Sequence, residues 1–155
     1  MVVDIPEDFR DEIPQALAKA GEDPVERLKT AFRACCRVVD AKRAAVNLTY
    51  RESKTLPPEG LSQIMALEFE TAEPIRQVYR AGVAAGVFLD IDPRLVAHSM
   101  LLTAHGWALK HWNLSRWLTL VTLGASNSDV DLEFWLTFCS TERTLVVGPL
   151  LAPTP

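Results

Sequence analysis

His98 and His105 are the residues best suited by type and spacing to do chemistry. Seven apart in the sequence, they share a helical face with Leu101, Leu102, Ala108, Leu109 and Trp112. At 1.5 Å of rise per residue the two rings stand about 10 Å apart along the axis. One zinc ion cannot bridge them, because ligand nitrogens sit roughly 2 Å from the metal. They are either polar anchors in an apolar ligand pocket or core or interface histidines with partners of their own. Glu68 falls in the middle of another apolar face, where a carboxylate cannot be left unpaired without a large penalty. Its partner is a ligand's donor or a neighbour such as Arg76. Cys35 and Cys36 are adjacent, so on a helix they point about 100° apart and cannot close a relaxed disulfide. Packing as small hydrophobes explains them. There is no glycine-rich phosphate loop, no HExxH and no nucleophile elbow. The residues support neither catalysis nor a metal or cofactor site.

These side chains must be positioned by helices. Phe9, Ile13 and Leu17 recur at four-residue steps, a narrow stripe that Gly21 ends, although Pro14 fits comfortably only near a helix start. Asp23-Pro24-Val25-Glu26 is a start signal: a capping residue, a proline in the first turn and a glutamate placed to reach back to the cap's N–H. Leu28, Phe32, Cys35 and Val39 then share a face, while Arg27, Lys29, Arg33, Arg37 and Asp40 point mostly elsewhere. A second helix carries Ala44, Ala45 and Leu48 and breaks before Pro57-Pro58.

From Glu59 the spacing predicts a long helix with Leu61, Ile64, Met65, Ala72, Ile75, Tyr79 and Val83 on one face, kinked over residues 70–74 by Pro74. Gly86 can end it in a left-handed cap, with Phe88 folding back. Asp92-Pro93 restarts the chain, an N-cap acceptor followed by a residue that needs no N–H. Residues 95–112 are apolar nearly all round, as befits a core or interface helix. Beyond Trp117, residues 118–123 alternate as a strand does and residues 124–128 make a loop. Ser128 and Asp131 then cap a last helix with Leu132, Trp135, Leu136, Cys139 and Val146 on one face.

A cavity between the helices at 59–88 and 93–112 would be lined by Met65, Phe69, Tyr79, Met100 and Trp107. Ala72, Ala104, Gly106 and Ala108 leave room for it, and Tyr50 and Arg51 reach its rim.

At 155 residues the chain is one domain's length, and 48% hydrophobic with 23% charged residues is ordinary globular material. A net charge of −4 argues against this chain alone gripping a polyanion such as DNA. Three cysteines without framework spacing suit a reducing cytoplasm. The acidic start is no signal peptide. Lys110 and the interspersed polar groups argue against a membrane span.

The run Ala81-Gly82-x-x-x-Gly86-x-Phe88, then Asp92-Pro93, then an Ala- and Leu-rich helix ending in Trp107 and Trp112, resembles the C-terminal regulatory domain of TetR-type bacterial transcriptional regulators. The likeness covers residues 23–117. It implies an all-α bundle of six or seven helices, with residues 1–22 the remnant of a connecting helix and residues 23–155 a ligand-binding and dimerisation domain. It implies a small, apolar effector bound near Tyr50, Met65, Glu68, Phe69, Ala72, Tyr79, His98, Leu102, His105 and Trp107. It also implies a homodimer through Leu101, Ala108, Trp112, Leu132, Trp135, Leu136 and Cys139. Residues 118–155 depart from the family pattern, being longer and more apolar than its usual connection. The family reads DNA through a helix-turn-helix, and nothing in residues 1–22 can form one. The expectation is a regulator fragment, or a module without a reader that pairs with a complete regulator. A helical binding protein of the same architecture is the other alternative.

Overall fold

The computed structural model describes residues 4–116, with side chains from Arg10 onward. Among them are six helices and no strand: α1 (Asp4–Ala18), α2 (Pro24–Ala41), α3 (Arg43–Glu52), α4 (Pro58–Ala84), α5 (Pro93–Leu109) and α6 (His111–Leu114). The strand expected at 118–123 and the helix expected from 129 lie outside the described residues. α2 is the central element, packed by α1, α4 and α5, and α5 in turn bridges α2, α3 and α4.

α2 begins where its signal places it, with the Asp23 carboxylate accepting from the Glu26 N–H at 2.8 Å. The reciprocal half of the capping box does not form. Glu26 turns instead to Lys29, 3.1 Å away. That pairing accounts for a second difference: Lys29 is buried on the core side, because its ammonium reaches a carboxylate at the rim while its stem covers apolar surface. Leu28, Phe32, Cys35 and Val39 are all buried as their spacing predicts. In α3 the buried residue is Val46, and Ala44 and Leu48 are exposed. The buried face of this short helix is rotated from the one expected, and the Asn47 side-chain amide pins it by donating to the Ala108 carbonyl at 3.2 Å.

Both internal prolines are accommodated inside helices. Pro14 lies within α1, far from its start, with Ile13 and Leu17 anchoring the helix on the core. Pro14 itself is exposed, so the ladder bond it removes is lost on a face that water can reach. α4 runs on through Pro74. There the buried Arg76 guanidinium donates to the Phe69 carbonyl at 2.6 Å and pairs with Glu73 at 2.6 Å, so Glu73 and not Glu68 is its carboxylate.

Gly86 ends α4 at φ 72°, and the Val87 and Phe88 N–H groups both return to the Gly82 carbonyl. Phe88 stacks on Tyr79 with ring centroids 5.2 Å apart and lies so close to Gly82 that no Cβ fits there. α5 starts on the Asp92 cap, which accepts from the Arg94 N–H at 2.9 Å. Its inner stripe, which includes Val96, Ala97, Leu101, Ala104 and Trp107, is buried, whereas Leu95 and Leu102 remain exposed. The helix stops at Leu109, short of Trp112, which lies 70% exposed on α6.

Candidate functional site

Besides the Asn47–Ala108 bond, α3 and α5 meet at a pair of polar side chains. The Tyr50 hydroxyl lies 3.0 Å from His105 Nδ1, and the rings meet edge to face at 5.7 Å. Burial, reinforced by the nearby His98, pushes the His105 imidazole down to about 4. The neutral ring either accepts the Tyr50 proton at Nδ1 or donates its own to the phenol oxygen, according to its tautomer. Burial raises the Tyr50 phenol, and Glu68 raises it further. Glu68 is exposed by accessible surface, yet crowded enough that desolvation holds its carboxyl above the ordinary range, with His98 pulling the other way. Charge on Glu68 is thus felt at Tyr50, and charge on His98 at both Glu68 and His105.

Helical register places apolar side chains beside them. On α5, Leu102 is four residues after His98, and on α4, Met65 is three before Glu68. Both are exposed, Met65 by 62% and Leu102 by 48%, and Phe69 is exposed by 59%. Such a face offers a donor-acceptor pair at its base and unburied hydrophobic surface around it. That combination suits an apolar molecule with one or two polar groups.

The other sequence-derived residues lie elsewhere. Tyr79 is fully buried, its hydroxyl donating to the Leu89 carbonyl at 2.7 Å. Trp107 is buried too, its indole N–H donating to Asp40 at 2.8 Å. Ala72, Leu101 and Ala108 pack inside the protomer, while Trp112 faces solvent. Leu132, Trp135, Leu136 and Cys139 lie outside the described residues. Where α4 meets α5, Ala72, Ala104 and Ala108 are buried in the core cluster. A groove of about 530 Å³ opens instead between α1, the start of α2 and the second half of α4, lined by residues including Pro14, Leu17, Arg27, Pro74 and Val78.

Sequence reasoning missed a second polar cluster. Arg43 donates to Nε2 of His111 and lies 3.5 Å from Asp40, the acceptor of Trp107. Nδ1 of His111 is buried without a partner among the described residues. Asp40 and Arg43 are three apart on the chain, but the Trp107–Asp40 and Arg43–His111 contacts span 67 and 68 residues, which no local pattern announces. Among the described residues no cluster of His, Cys, Asp or Glu could hold a metal ion, and no helix is long and apolar enough to cross a membrane.

Residues 21–112 match the family model described as tetracyclin repressor-like, C-terminal domain. The chain belongs to that family, a class of transcriptional regulators and not of enzymes. Over 104 residues it is 38% identical to the HTH-type transcriptional regulator HbdR of Aromatoleum sp. (strain CIB), covering 67% of this chain and 45% of that protein. The chain thus spans about half the length of this relative. A bacterial regulatory protein of the tetR family from Rhodococcus RHA1 is similar in fold, with a TM-score of 0.60 and 19% identity over 98% of this chain and 74% of its own.

Proposed function

We propose that this domain senses a small, largely apolar effector on the face formed by Tyr50, Met65, Glu68, His98, Leu102 and His105, in the cytoplasm of a bacterium. The single observation that carries the reading is the Tyr50–His105 pair, a neutral donor-acceptor couple set beside exposed apolar side chains rather than sealed in the core. An effector that binds one arrangement of α4 and α5 better than another shifts the population toward it, by no more than that difference in affinity. In a regulator of this family the shift changes the spacing of two DNA-reading heads in a homodimer. The isologous contact would use the exposed side of α5 and Trp112 together with residues 129–147. Leu101 and Ala108, buried within the protomer, support that contact from beneath.

Native mass spectrometry of the protein purified from its own host tests this reading. A dimer carrying a discrete extra mass supports it. An empty monomer rejects both the effector and the dimer.

A further inference from the structure

α4 is two different helices in mechanical terms. Its second half buries seven residues between Thr71 and Gly82, and residues 58–70 bury none. The boundary lies between Glu70 and Thr71, one turn before Pro74, which has no N–H to give the Glu70 carbonyl. Arg76 spans the boundary from the docked side. Its side chain is only 3% exposed, and its Nη2 reaches the Phe69 carbonyl at 2.6 Å. Its guanidinium carbon lies 3.9 Å from the centre of the Phe69 ring, and Glu73 holds Nε at 2.7 Å. One buried cation thus grips both the backbone and the side chain of the last turn of the undocked half.

A second tie leaves the same turn. Glu70 is paired with Arg10 of α1 at 2.5 Å. Arg10 and Glu70 each stand four residues before an internal proline, Pro14 and Pro74, and both prolines line the groove between α1 and α4. Each member of the ion pair therefore owns the carbonyl that its helix's proline leaves without a donor. The two helices are joined where each is weakest.

We infer that Arg76 is a positioning residue that sets the angle of residues 58–70 against the docked half of α4, and that the Arg10–Glu70 pair carries a change of that angle to α1. The inference rests on the proposed effector face, since Met65 and Glu68 lie on the undocked half and an occupant there bears on it directly. Occupancy that moves Phe69 must move it against the Arg76 guanidinium. The tie to α1 then either follows or breaks.

Amide hydrogen exchange on the whole chain tests the device without any effector, so its failure is separate from a failure of the effector reading. Amides of residues 62–70 should exchange at least about tenfold faster than those of 75–82. Pro74→Ala, which restores the missing N–H, should slow the first group and leave the second unchanged. Arg76→Gln should speed the first group by about tenfold or more, the loss of a charge-assisted hydrogen bond. Glu70→Arg alone should speed exchange in α1, and Arg10→Glu added to it should restore the original rates. Equal protection of both halves of α4 would overturn the inference. So would a uniform acceleration by Arg76→Gln, no response to Pro74→Ala, or no rescue by the charge swap.

Discussion

The Tyr50 hydroxyl and Nδ1 of His105 share a hydrogen bond across 3.0 Å, in surroundings whose burial disfavours the charged imidazolium. With the folded ring pushed down to about 4 and the unfolded ring at its ordinary 6.5, the unfolded chain binds a proton that the folded one refuses. Stability is therefore full above about pH 6.5 and falls as the pH drops toward 4, by up to about 3 kcal/mol. Glu68, whose carboxyl is raised, contributes with the opposite sign. Urea midpoints of the native protein and His105→Leu between pH 7.5 and 4.5 should isolate the histidine. The native protein should lose stability more steeply, and parallel curves would show that His105 is not buried neutral.

Removing the hydroxyl alone should cost less. Tyr50→Phe leaves the ring in place and forfeits one partly buried hydrogen bond, worth about 1 kcal/mol. The midpoint of urea unfolding at pH 7.5 reads it.

Gly82 is where α4 and the chain after it touch most closely. A Cβ there would lie 2.1 Å from the Phe88 ring, which is itself stacked on Tyr79. Gly82→Ala should destabilise by about 1–3 kcal/mol, the range for overpacking a filled site. A thermal melt that matched the native one would place Phe88 elsewhere.

Cys35 is fully buried, and burial pushes its thiol up to about 12. Cys36 beside it is raised for the same reason. In a Cys139→Ser background neither should react with an aromatic disulfide reagent at pH 8 until the protein unfolds. Rapid labelling of the native protein would contradict the packing of α2.

Trp107 is buried and donates to the half-buried Asp40. Trp107→Phe keeps most of the apolar surface and breaks that bond, at a cost of about 1–2 kcal/mol. Asp40→Asn keeps an acceptor and should cost less. Equal losses in the two variants would mean the indole packs without donating.

The sequence is most legible where a structural feature is local. The Asp23-Pro24 and Asp92-Pro93 starts and the Gly86–Phe88 stop each depend on a few neighbouring residues, and all three appear in place, save that Glu26 pairs with Lys29 instead of returning to its cap. The apolar stripe of α2 is equally plain. What the sequence does not carry is depth and partnership. Periodicity puts Met65 and Tyr79 on one face, yet one is 62% exposed and the other wholly buried, because α4 docks only beyond Glu70. Trp107 and Tyr79 look like pocket aromatics until their polar atoms are found on Asp40 and Leu89. Arg76 reads as a candidate partner for Glu68 until Glu73 and the Phe69 carbonyl close around it. Of the candidate site, Tyr50 and His105 meet across 55 residues of sequence, a contact no helical period can announce.

The most direct measurement of the effector reading uses the methionine methyl groups. The chain has only three methionines, so a carbon-13 methyl spectrum is simple to assign by single substitutions such as Met65→Leu. The spectrum should be recorded on protein as isolated from its own host and again after that protein has been unfolded, stripped and refolded. An effector beside Tyr50 and His105 predicts that the Met65 resonance moves on stripping and returns when the released molecule is added back. A Met65 resonance identical before and after, with the extra mass gone, would contradict a site on this face.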